Sequence, residues 1–173
     1  VEGAVTDAGP IARFLAADHR RLEELLERAA APPGGIDAAL FEQFRAGLLR
    51  HIAMEEKVLL PAARRARGGA PLEIAPQLRL DHGAIAALLV PTPTPDVVRR
   101  LRALLTLHDA LEEGPHAVYD DCDRLLTSEV NALLEQLRTY PEVRTAPHTD
   151  GPFVEQHIVE RLTMAGRERV LRE

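Results

Sequence analysis

Sulfur and aromatic rings are scarce in this chain, and each scarcity narrows what it can be. A single cysteine, Cys122, excludes an internal disulfide framework and any thiolate-rich zinc site. Tryptophan is absent and aromatic residues make up only 3% of the 173 residues, although 46% are hydrophobic. A core must then be assembled from Leu, Ala, Val and Ile, which suits packed helices, and the length allows one domain with a real interior. There is no excess of positive charge. The net charge of -6 comes with no basic stripe, which argues against nucleic acid as a partner. No apolar run approaches the ~20 residues that would cross a bilayer. Val1–Pro10 is neither basic nor apolar enough for a signal peptide, so a cytoplasmic location is expected.

What the chain does have is a repeat. Asp18-His19 followed by Leu22, Leu25 and Leu26 returns as Asp81-His82 followed by Ile85, Leu88 and Leu89. Downstream, Arg45-Ala46, Leu48, His51, Met54 and Glu55-Glu56 return as Arg102-Ala103, Leu105, His108, Leu111 and Glu112-Glu113. Each half supplies one lone histidine and one H-x-x-x-E. Repetition of ligand-type residues in register points to a binuclear metal site inside a helical bundle.

The pattern predicts a helix opening after Asp7, with Pro10 in its first turn, and running to about Ala30. Asp37 caps a second helix through His51 and Glu55, which Pro61 should bend or weaken before Gly68-Gly69. A third spans roughly Gln77 to Val90. The Pro91–Pro95 connector follows, and a fourth helix runs from Thr94-Pro95 to Glu113, where Gly114-Pro115 kinks or breaks it. His116 to about Arg138 is helical in pattern, either continuing the fourth helix or turning away from it. Thr145 to Pro152 is a loop by composition, and Phe153 to Leu171 reads as an amphipathic helix. The expected organisation is all-α: an up-down-up-down four-helix bundle over residues 1–140, and a loop plus C-terminal helical segment over residues 141–173 that is not an independent domain. That segment could cover the bundle, swap into a neighbour or pair two chains as a homodimer.

Residues four apart share one helical face. His51 and Glu55 therefore point together, as do His108 and Glu112, each pair among flanking leucines. His19 sits between Leu15 and Leu22, and His82 between Leu78 and Ile85. Two carboxylates buried without compensation cost several kcal/mol each. No Lys or Arg of these helices holds an inward position that would neutralise both. A pair of divalent cations resolves the cost, with His19, His51, Glu55, His82, His108 and Glu112 as ligands. Imidazole and carboxylate without sulfur suit iron, and Mn or Zn would also fit. Asp18 and Asp81 either orient a neighbouring imidazole or are solvated acids. Glu56 and Glu113 are expected to be partly exposed rather than ligands, and Glu23 to be a surface acid.

These residues resemble the hemerythrin-like family, the HHE cation-binding domains. The pattern of lone His, H-x-x-x-E, second lone His and second His with a carboxylate is met by His19, His51 with Glu55, His82, and His108 with Glu112, and the resemblance covers about Ile11 to Leu126. It implies a four-helix bundle with a non-haem di-iron centre that binds oxygen, or senses oxygen, nitric oxide, peroxide or redox state. Oxygen-carrying members usually have H-x-x-x-H in the third helix, where this chain has Ala86. They pair the last His with an Asp five residues on, where this chain has Glu113, with Glu112 at four. The missing histidine leaves a coordination position open, which suits sensing better than reversible transport.

His116, one turn beyond Glu112, is a possible additional ligand. Tyr119, a turn further, could reach a bound small molecule, but a packing tyrosine with its hydroxyl at the surface is the expectation. Cys122 should pack as a small apolar residue, and His148 and His157 should be exposed. A di-iron oxidase or peroxidase is the enzymatic alternative. E-x-x-H occurs once, at Glu113 to His116, and the ligand set is too rich in His for that class, so the balance leans away from turnover. A metal-free or zinc-bound helical interaction module is the third reading.

Overall fold

The computed structural model describes residues 8–114 and 116–172. The described residues form helices and connecting loops, with no strand. The helices are α1 (Pro10–Ala30), α2 (Ala38–Met54), α3 (Leu60–Ala66), α4 (Ala75–Leu88), α5 (Pro95–Glu112), α6 (Val118–Leu125), α7 (Val130–Arg138) and α8 (Pro152–Met164), with a short 3₁₀ turn at Glu168–Leu171. α1 packs along α2 and α6, and α4 packs along α5 and α8.

Local chemistry sets the ends of these helices. The Asp37 carboxylate accepts from the N–H groups of Ala39 and Leu40 at 3.0 Å, and the Thr94 hydroxyl accepts from Val97 N–H at 3.2 Å. α1 begins at Pro10 with Gly9 as its N-cap residue; Asp7, after which the sequence pattern opens the helix, lies outside the described residues, and the cap comes from elsewhere in the chain. Asp123 of α6 accepts from the N–H groups of Ile11 and Ala12, both at 2.9 Å. Gly9 makes this possible, because a Cβ there would stand 2.2 Å from the Asp123 carboxyl carbon. Arg50 of α2 closes the other end of the α7 region, donating to the carbonyls of Leu137, Arg138 and Tyr140.

α2 and α3 are joined by a π-helical turn, Glu55–Leu59, in which Leu60 N–H bonds the Glu55 carbonyl. Pro61 is the reason. In a regular helix its ring would collide with the carbonyl four residues back, and the wider turn accommodates it. The bend expected from Pro61 thus takes the form of one inserted π turn, with helix resuming to Ala66. The segment after Gly114 turns away from α5 as two short helices, broken at Leu126–Glu129, rather than as one. The expected kink at Pro115 itself lies outside the described residues.

Buried side chains form two apolar clusters. One joins Leu22, Leu26, Phe41, Phe44, Leu48, Ile85, Leu101 and Leu104 with Val154, Ile158 and Leu162 of α8. The other joins Ile11, Leu15, Met54, Leu59, Leu78, Val118 and Cys122 with Leu133 and Leu137 of α7. Each fully buried aliphatic or aromatic side chain is worth about 1.5–3 kcal/mol. In α1 the first cluster takes Leu22 and the second Leu15, with His19 between them. In α4, Ile85 and Leu78 bracket His82 in the same way. A polar layer therefore crosses the interior between two apolar ends.

The C-terminal segment covers the bundle. Helix α8 ends at Met164, short of the expected Leu171, because Gly166 adopts φ +70° and reverses the chain. Arg167 N–H bonds the Leu162 carbonyl and Gly166 N–H bonds the Thr163 carbonyl, a helix-terminating turn that favours glycine. This turn delivers Arg167 to the polar layer. No described helix is long and apolar enough to cross a membrane.

Candidate metal centre

All six duplicated ligand-type residues meet in the polar layer. Nitrogen and oxygen atoms of His19, His51, Glu55 and Glu112 lie within 4.8 Å of one another, and so do those of Glu55, His82, His108 and Glu112. These two tetrads share Glu55 and Glu112. Glu55 places Oε1 3.5 Å from His51 Nε2 and Oε2 3.2 Å from His82 Nε2. Glu112 places Oε2 3.4 Å from His19 Nε2 and Oε1 3.1 Å from His108 Nε2. Each carboxylate thus presents one oxygen to each pair of imidazoles. Glu55 is 2% exposed and Glu112 0%.

Each of the four histidines in the tetrads has a carboxylate on its far nitrogen. His51 Nδ1 meets Asp18 at 2.9 Å and His108 Nδ1 meets Asp81 at 3.4 Å. His82 Nδ1 meets Glu56 at 2.8 Å, and His19 Nδ1 meets Glu113 at 2.6 Å. The repeated dipeptides divide the work. Each aspartate of Asp-His orients the histidine of its own half, and each second glutamate of Glu-Glu orients the lone histidine of the other half. Such partners fix the ring and leave Nε2 aimed at the centre. The two halves bring that second glutamate in by different backbone devices. The π turn at Glu55–Leu59 directs Glu56 toward His82, while Glu113 leaves α5 with extended backbone, φ -101° and ψ 147°, to reach His19.

Of the two readings for Asp18 and Asp81, orientation of an imidazole is the one the structure displays. Glu56 and Glu113 are partly exposed as expected, and both also hold a ring. The doubled Asp-His and Glu-Glu pairs were the sequence signal for this role. The aspartates differ in their outer support. Asp18 accepts from Arg21 of its own helix at 2.8 Å. Asp81 is fully buried and accepts two bonds from Arg167, at 3.0 and 2.8 Å, and one from Gln77 at 3.0 Å. Arg167 lies outside the repeat, and no sequence pattern marked it. Arg45, the buried arginine of α2, turns instead to the carbonyl of Ala146 in the C-terminal loop.

Without cations, protons hold this layer together. Burial alone would depress the imidazoles, but their carboxylate partners prevail. His51 rises to about 9 through Glu55 and Asp18, His19 to about 11 through Glu112 and Glu113, and His108 to about 10 through Asp81 and Glu112. His82 is also raised, by Glu55 and Glu56. Burial pushes the Glu55 carboxyl up, and the His51 charge and the imidazole hydrogen bonds more than reverse that, leaving it well below the usual range. Asp81 is lowered to about 2, burial being outweighed by His108 and Arg167. Even so, Glu55 Oε2, Glu112 Oε1 and His82 Nε2 are buried with no hydrogen-bond partner. Orphaned acceptors of this kind, with a nitrogen and oxygen donor set, fit a pair of cations.

Expectations for four residues need correction. Tyr119 is 1% exposed, and its hydroxyl lies inside the polar layer, not at the surface, donating to Glu55 Oε1 at 2.5 Å. Burial, then the charges of Glu112 and Glu55, push its phenol well above the usual value. The break after Glu112 explains the surprise. Leaving the α5 axis lets α6 re-enter the interior, which a continued helix would not allow. His116 is not brought to either tetrad. It sits exposed on the turn with φ +64°, its N–H bonded to Asp120, so Glu113 and His116 form no joint site. Cys122 is buried and apolar in its surroundings, and Glu23 is exposed, as expected. His148 and His157 are half-buried rather than exposed, with His148 Nδ1 3.3 Å from the Val90 carbonyl.

Comparison with characterised proteins and with solved structures found no significant match. A family model does match: the hemerythrin HHE cation binding domain, over residues 11–138. That span holds all six residues of the two tetrads and the four carboxylates behind them, and the chain accordingly belongs to the hemerythrin HHE cation-binding family.

Proposed function

We propose that the chain is a non-haem di-iron protein that binds or senses oxygen, nitric oxide or peroxide, with α1, α2, α4 and α5 as an up-down-up-down bundle around the centre. His19 and His51 would hold one ion, His82 and His108 the other, and Glu55 and Glu112 would serve both. The observation that carries this reading is the sharing of two buried carboxylates between two pairs of imidazoles, with three of the facing atoms left unpaired. A hard nitrogen and oxygen donor set without sulfur favours iron over softer ions. A bound iron pair would supply a change of oxidation state and a coordination position for a small ligand.

The chain's own residues then hold and report. Asp18, Asp81, Glu56 and Glu113 keep the rings oriented and increase their basicity. Arg167 and Gln77 tie Asp81, and through it His108, to the end of α8, so a change at the centre reaches the C-terminal segment. The test is anaerobic loading with ferrous iron, followed by exposure to nitric oxide or oxygen while absorption is recorded. Two irons per chain and a ligand-dependent spectrum are expected, both abolished by His51→Ala and Glu112→Ala. Unchanged binding in those variants would refute the reading.

A further inference from the structure

Tyr119 breaks the symmetry of the centre. It lies seven residues beyond Glu112, and the equivalent position beyond Glu55 is Ala62, which has no donor atom. The Tyr119 oxygen stands 2.5 Å from Glu55 Oε1, 3.0 Å from Glu112 Oε2, 3.2 Å from His19 Nε2 and 3.3 Å from His51 Nε2. Those residues are one complete tetrad, and none of the histidines of the other is among them.

A phenol has one proton to donate. It can satisfy one of the carboxylate oxygens beside it, not both, and each Nε2 presents a lone pair once its Nδ1–H is given to a carboxylate. Five lone-pair atoms around one point repel unless protons or a cation lie among them. The 2.5–3.3 Å separations suit hydrogen bonds when protons are present, and they equally suit the ligands of one ion. Two ligand atoms at right angles, each about 2.1 Å from one ion, lie about 3.0 Å apart. The other tetrad contrasts with this. Its Glu55 Oε2, Glu112 Oε1 and His82 Nε2 are the three buried site atoms without a hydrogen-bond partner, so among the described residues no hydroxyl bonds them.

We propose that Tyr119 supplies its phenolate oxygen as a fifth protein ligand to the ion held by His19 and His51. The two ions are therefore inequivalent, and the position left for an outside ligand belongs to the ion held by His82 and His108. This rests on the di-metal reading above. Loading the site releases the phenolic proton to solvent, and the added negative charge favours the ferric state of that ion over its neighbour.

The experiment loads the full chain with two equivalents of ferrous ⁵⁷Fe, oxidises it, and records metal content, visible absorption, resonance Raman and Mössbauer spectra. Two irons are expected, with a visible phenolate-to-iron charge-transfer band that enhances tyrosine ring vibrations and with two ferric sites in equal amounts. Tyr119→Phe should keep both irons and lose the band, whereas Tyr140→Phe should keep it. Deuterated tyrosine shifts the ring vibrations in the unsubstituted protein, so the assignment holds even where Tyr119→Phe folds poorly. Two bound irons with no enhanced tyrosine vibrations, with a single ferric environment, or with a band that survives Tyr119→Phe would overturn the assignment and leave the di-metal reading standing. Failure to bind two irons at all would remove both.

Discussion

Stripping the cations from this protein should make its stability fall as the pH rises through the neutral range. The metal-free polar layer depends on protonated imidazoles beside carboxylates. His51 titrates at 6.5 in the unfolded chain and at about 9 in the fold. A raised folded value contributes fully below pH 6.5, declines above it and is gone by about pH 9. That change corresponds to roughly 3 kcal/mol for His51 alone. His19 at about 11 and His108 at about 10 act in the same direction and extend the loss to higher pH. On the acid side the sign reverses. Asp18 and Asp81, held at about 2, contribute above their ordinary value of 3.8 and lose that contribution as pH falls toward 2. The metal-free protein is therefore most stable between the carboxylate and imidazole ranges. The assay is urea unfolding after exhaustive chelation, at about pH 6 and about pH 9. The His51 share alone, roughly 3 kcal/mol, moves the midpoint down by about 1–3 M, and His19 and His108 add to it in the same window. The loaded protein, its imidazoles neutral and held by cations, should shift far less. A chelated protein whose midpoint stays level or rises between those two pH values would refute the reasoning.

Other substitutions probe the supports around the layer. Arg167→Met removes two hydrogen bonds from buried Asp81 and should weaken metal binding about 10–100-fold, read by competition with a chromogenic chelator. Asp123→Ala uncaps α1 and should cost about 1–2 kcal/mol in denaturant unfolding while leaving metal stoichiometry intact. His116→Ala should change neither metal content nor affinity, because the residue is exposed and in neither tetrad, and it is its backbone N–H that bonds Asp120.

Much of this site was legible because it is written twice. His51 with Glu55 and His108 with Glu112 could be placed on one face by helical spacing alone, and the leucines on either side of His19 and His82 put those rings inside. Helix starts at Asp37 and Thr94 were equally readable, since their caps are local. What could not be read depends on contacts distant in sequence. Asp123 caps a helix 111 and 112 residues away, and Arg167 meets Asp81 across 86. Tyr119 and His116 show the limit most clearly. Both follow Gly114, and a helical count forward from Glu112 places each relative to an axis that the chain has already left. The count favours His116 and demotes Tyr119, and the turn reverses their places.

The central claim is that two cations occupy the layer between the apolar ends of the bundle. Crystals of freshly isolated protein, measured on both sides of the iron absorption edge, test it most directly. Two anomalous peaks are predicted per chain, one among His19, His51, Glu55 and Glu112 and one among Glu55, His82, His108 and Glu112. A map with those side chains in place and no peak between them would contradict the account.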